Sequence, residues 1–75
     1  MGKAKRYHWY LAMYRTDDGR IFGSWLTSRN MLKRYLSSPE KFEDVEIEAN
    51  DIFEALQNVK SVRKQGRLII IHYVT

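Results

Sequence analysis

His8 and His72 are the only histidines of the chain, and two imidazoles beside a carboxylate are the smallest set that would suggest a metal or acid–base centre. Metal sites take three or four ligands in defined geometry, and the sequence has no cysteine to complete one. Both histidines are therefore expected to be half-buried strand residues. The acidic stretch EKFEDVEIE is a second candidate. Asp44, Glu46 and Glu48 alternate on one strand face, and carboxylates so spaced can share a divalent cation. No Lys or His follows them at a catalytic spacing, so a solvated edge strand is the better expectation. Gly19, Gly23 and Gly66 are isolated glycines, and nothing resembles a phosphate-cradling loop. The chain reads as a non-enzyme, with no catalytic residue, no metal and no cofactor.

Binding is better represented. Arg29, Lys33 and Arg34 fall in LTSRNMLKRYLSSP without an acid three or four residues away, which leaves them free for phosphates or for a partner's carboxylates. YHWYLAMYRTDDGRIFGSW holds six of the ten aromatic residues. Tyr10, Tyr14 and Trp25 from it are the expected partner-binding aromatics, because Tyr and Trp stack on unpaired bases and dominate protein interfaces.

The elements that must position these residues follow from periodicity. Residues 7–15 alternate as a strand, and DDG with strand-like residues on either side marks a hairpin. A two-residue loop places Ala12 opposite Trp25, with Trp9, Leu11, Met13, Phe22 and Leu26 on one face. His8, Tyr10, Ala12, Tyr14, Ile21 and Trp25 then share the other. A three-residue loop with a Gly bulge shifts the second strand by one and exchanges Trp25 for Phe22. Thr27 or Ser28 caps a short helix with the stripe Met31, Leu32, Tyr35 and Leu36, which stops before Pro39. DVEIEA alternates as a strand with Val45 and Ile47 inward. Asp51 with Glu54 resembles a capping box for a second helix that buries Ile52, Phe53, Leu56 and Val59. After Gln65-Gly66, the apolar run RLIIIHYV reads as a central strand.

The order β-β-α-β-α-β predicts an α/β (α+β) two-layer sandwich: a mixed four-stranded sheet in strand order 2-1-4-3 with both helices on one face. Its expected core is Trp9, Leu11, Met13, Leu32, Leu36, Val45, Ile47, Phe53 and Leu56. The other sheet face is left for solvent, a partner or a second copy of the chain, so a homodimer is within its reach. Residues 1–75 read as one domain, with residues 1–6 as a flexible basic arm.

Charge is segregated along the chain, whose net charge is +4. Residues 1–38 carry eight basic residues against Asp17 and Asp18; residues 39–54 carry Lys41 against seven acids; residues 55–75 add Lys60, Arg63, Lys64 and Arg67 and no acid. Such separation steers association more than the total does. No run has the length of a membrane span, and lack of cysteine fits a reducing compartment, so a cytoplasmic, membrane-free setting is expected. No motif identifies a family. In size and in its lack of catalytic residues the chain is similar in type to compact accessory proteins of viruses and mobile elements, a likeness that assigns no residue a role. The expected function is a small non-catalytic, protein-binding regulator or inhibitor, docking on a nucleic-acid-handling machine. The alternative is a direct nucleic-acid-binding protein that uses the basic helix and the hairpin aromatics. Against that alternative, the acidic block repels any polyanion passing its side of the domain.

Overall fold

The computed structural model describes residues 6–75, so Lys3 and Lys5 of the expected basic arm lie outside the described residues. It is an α+β fold: strands β1 (His8–Arg15) and β2 (Ile21–Leu26), helix α1 (Arg29–Ser37), a 3₁₀ turn (Pro39–Lys41), the short strand β3 (Val45–Glu46), helix α2 (Ala49–Gln57), and strands β4 (Val59–Gln65) and β5 (Leu68–Val74). The five strands form one sheet in the order β3-β2-β1-β5-β4, and every pairing is antiparallel.

The first hairpin sets the register of the sheet. Arg15 pairs with Ile21, and the Thr16 N–H donates to the Arg20 carbonyl at 2.7 Å. Asp17, Asp18 and Gly19 remain as a three-residue loop, closed by Gly19 at φ +87°, a conformation that disfavours any residue with a Cβ. Of the two expected registers this is the second. Leu11 therefore faces Trp25 and Tyr14 faces Phe22, so Trp25 leaves the face of Tyr10 and Tyr14.

Alternate β1 residues point to opposite faces, and each face has its own helix. On the first face Tyr10, Ala12, Leu26 and Ile70 pack against Leu32 and Tyr35 of α1; on the second, Leu11, Met13, Ile71 and Tyr73 pack with Ile47 and with Ala55 of α2. The architecture is three layers, helix–sheet–helix. The expectation of two layers with an uncovered sheet face is overturned.

Topology explains why. Strand β3 pairs with β2 through Val45 and Glu46, at the sheet edge opposite the one expected. The chain must then travel to the far edge to begin β4, four strand spacings or about 19 Å away. Helix α2, nine residues long and so about 13.5 Å, covers most of that distance across the second face. Strand β4 itself replaces what was read as a helix tail and turn. It forms a hairpin with β5 around Gly66-Arg67, where Gly66 has φ +64° at the first central position. The expected adjacency of β2, β1 and the last strand holds; the count of four strands, the mixed sheet and the placement of β3 do not.

The helix starts obey capping chemistry. The Ser28 hydroxyl accepts from the Met31 N–H at 3.1 Å, as expected for α1. Helix α2 starts earlier than read: the Glu48 N–H donates to Asp51 Oδ2 at 3.1 Å, so Asp51 stands in the first turn instead of at the cap. Of the expected core, Val45, Phe53 and Leu56 are exposed, at 44, 53 and 46%. Burial of α2 falls on Ala55 instead, because the helix meets the sheet along the Ile52–Ala55 side. No helix among the described residues is long and apolar enough to cross a membrane.

Candidate functional site

On the first face, a groove of about 350 Å³ separates α1 from β5 and β4. The same periodicity that buries Leu32 and Tyr35 of α1 turns Arg29 and Lys33, one helical turn apart, along its upper wall. The opposite wall is β4, whose register sets Ser61 beside His72 and Arg63 beside Ile70, and so on the groove side of the sheet. Among the described residues, strand β4 has no neighbour on its outer side, and all seven of its own residues are exposed. The floor is Tyr10, Ile70 and His72. No Asp or Glu lines this groove.

The two histidines meet at the groove's end. His8 Nδ1 and His72 Nε2 lie 2.9 Å apart, close enough to share a single proton, and the His72 ring stacks on Tyr10 with centroids 4.4 Å apart. Burial lowers the pKa of His72, and the charges of His8, Arg29 and Lys60 lower it further. Its resolved charged neighbours are thus all basic, which opposes a cation site at this pair. No group of three or more His, Cys, Asp or Glu among the described residues is placed to hold a metal ion.

The acids lie elsewhere. Glu46 is in β3 and Glu48 caps α2, at the edge of the sheet opposite β4. Their separation from strand β4, about 19 Å, exceeds two Debye lengths at physiological salt. Asp51 and Glu54 ride on α2, behind the sheet as seen from the groove. Segregation along the sequence has become segregation across the fold.

Asp44 departs from the expected solvated carboxylate. It receives hydrogen bonds from Tyr14 Oη (2.7 Å), Tyr35 Oη (3.0 Å) and Ser24 Oγ (3.1 Å), joining β1, β2 and α1. These bonds hold both phenols in their protonated form: the pKa of Tyr14 is raised first by its bond to Asp44, that of Tyr35 first by burial and then by Asp44.

The expected site residues thus separate. Arg29 and Lys33 line the groove, whereas Arg34 lies in a neighbouring depression with Lys41 and Phe42. Tyr10 is buried in the groove floor at 8% exposure. Tyr14 is half-buried against Asp44 and beneath Arg67. Trp25 is on the second face, packed with the cluster of Leu11 and Met13. Arg63 and Lys60 were missed, because an exposed basic segment carries no strand-like alternation of polarity. The available signal was Val59 and Val62 running toward Gly66 and a long apolar strand, which together spell a hairpin. Compared with known proteins, the chain matches no family model, no curated protein and no solved structure.

Proposed function

We propose that this chain is a non-catalytic nucleic-acid-binding domain whose groove between α1 and β4 holds phosphates. The observation that carries the reading is the convergence of Arg29, Lys33 and Arg63 on one groove without a lining carboxylate, while the acids of β3 occupy the opposite sheet edge. Repulsion by the acidic block was the sequence-level argument against a polyanion. For Glu46 and Glu48, at the edge opposite β4, that repulsion is weak; Asp44 and Glu40 lie nearer, around the depression that meets the groove at Leu36. Stacking on Tyr10 and Trp25 is dropped from the mode, since neither ring is free on the groove side. The test is a titration of DNA and RNA oligonucleotides across salt. Three to four phosphate contacts give a log–log slope of roughly −2 to −3 on a single strand; binding that ignores salt would exclude this mode.

A second reading, a protein-binding regulator acting in the cytoplasm, is favoured by a separate observation. Phe53, Leu56, Val59 and Val62 are 40 to 56% exposed; α2 lies on the second face, and Val59 and Val62 pair there with Tyr73 and Ile71. Exposed apolar surface of this kind suits a partner protein. Nuclease-resistant capture of one defined protein, lost on Phe53→Ser and Val62→Ser and kept on Lys33→Glu, supports this reading over the first.

A further inference from the structure

We infer that the groove takes an unpaired nucleic-acid strand and that the cavity at its far end receives one base, guanine in preference to thymine or uracil. This rests on the phosphate-binding reading of the groove. Leu68, Ile70 and His72 alternate along the first face of β5 over about 13 Å. His72 and Ile70 floor the groove, Leu68 lines a second cavity of about 560 Å³, and Leu36 borders both. The two spaces therefore adjoin at Leu36, basic at the His72 end and bordered by Glu40 and Asp44 at the other.

The cavity suits a flat group with polar edges. Its size lies in the range of small-ligand sites, and Leu36, Pro39 and Leu68 give it apolar walls. Arg67 is held in place at its mouth. Its Nη2 donates to the Arg15 carbonyl at 3.0 Å, and its guanidinium carbon lies 5.6 Å from the Tyr14 ring centroid. A guanidinium plane fixed in this way is a stacking surface for a base. In a duplex the faces of a base are covered by its neighbours, so only an unpaired base can lie there.

The cavity's edge chemistry selects among bases. Asp44 already accepts from three hydroxyls. Glu40 lines the same cavity and makes no hydrogen bond or ion pair among the described residues. Its carboxylate can only accept. Guanine offers a ring N–H and an adjacent amino group, two donors for two oxygens. Thymine and uracil offer one N–H between two carbonyls that a carboxylate repels.

The test is fluorescence anisotropy at fixed salt with three probes: a twelve-residue thymidine oligonucleotide, the same oligonucleotide with dG6, and the duplex of the latter. The guanine-bearing strand is expected to bind roughly tenfold more tightly than the thymidine strand, and the duplex more weakly than either. Glu40→Ala, an exposed change, should bring the two single strands to equal affinity without weakening thymidine binding. Lys33→Glu with Arg63→Glu should weaken both. Equal affinity of the two strands in the unaltered protein, or a guanine preference that survives Glu40→Ala, overturns the base cavity and leaves the groove standing. Tighter duplex binding overturns the unpaired-strand inference. Failure of all three probes to bind overturns the groove reading itself.

Discussion

The Tyr35 hydroxyl, on the buried face of α1, donates to Asp44 Oδ1 at 3.0 Å just ahead of the edge strand β3. Tyr35 is 2% exposed, so this phenol depends on the carboxylate for its partner in the fold. Asp44→Ala should cost about 1–3 kcal/mol through the unsatisfied hydroxyl, read as a lower urea midpoint with an unchanged m-value. Asp44→Asn, which keeps an acceptor, should recover a good part of it. An alanine variant as stable as the parent would show that the three hydroxyl contacts contribute nothing net.

Histidine protonation sets a second expectation. The pKa of His72 is lowered from its ordinary 6.5, so the unfolded chain binds this proton more readily than the folded one. Stability from this group is complete above about pH 6.5 and is lost as pH falls toward and through the folded value. Melting temperature should therefore decline between pH 7.5 and 5.5, before carboxylates titrate. His72→Gln should flatten that decline, and an unaltered pH profile in the variant would remove His72 as its source.

Gly23 faces Met13 across the first hairpin, and a Cβ built there would fall on the Ala12 carbonyl oxygen and within 2.7 Å of Met13 Cα. Both are backbone atoms that cannot swing away. Gly23→Ala should cost about 1–3 kcal/mol by overpacking, with the loss seen as reduced amide protection along β1 and β2. A variant with parental stability would place β2 farther from β1 than it is here.

The two helices differ in how much of their burial the sequence revealed. In α1 the apolar stripe is the buried stripe, because one amphipathic helix packs on one sheet face. In α2 the apolar residues outnumber the positions that reach the sheet, so Ile52 and Ala55 are taken and Phe53 and Leu56 are left out. Strand β4 was missed for a different reason: an edge strand with both faces exposed needs no hydrophobic alternation, which left only Val59, Val62 and the turn at Gly66 as its signal, and Lys60, Arg63 and Lys64 on it are what blunts an open edge. The groove inherits this blindness, since one wall was legible as the basic face of α1 and the other was not. Leu32→Ala should accordingly cost about 2–5 kcal/mol, and Phe53→Ser no more than about 0.5 kcal/mol, measured by chemical denaturation. Equal costs would return Phe53 to the core.

Arg29, Lys33 and Arg34 look equivalent in sequence, yet only the first two line the groove, where Arg63 joins them from β4. Arg34 lines a neighbouring depression beside Lys41 and Phe42, which Lys33 also borders, and not the groove itself. Charge reversal should sort them by geometry and not by helix membership. Lys33→Glu and Arg63→Glu should each weaken oligonucleotide binding and make the log–log salt slope shallower by about 0.7, the contribution of one phosphate on a single strand. Arg34→Glu, which alters net charge equally, should shift affinity through the general field alone and keep the slope. All three residues are exposed, so loss of folding does not complicate the comparison. Equal effects from Arg34→Glu and Arg63→Glu would mean that the protein attracts polyanions by its charge at large, and the groove would lose its claim to be the site.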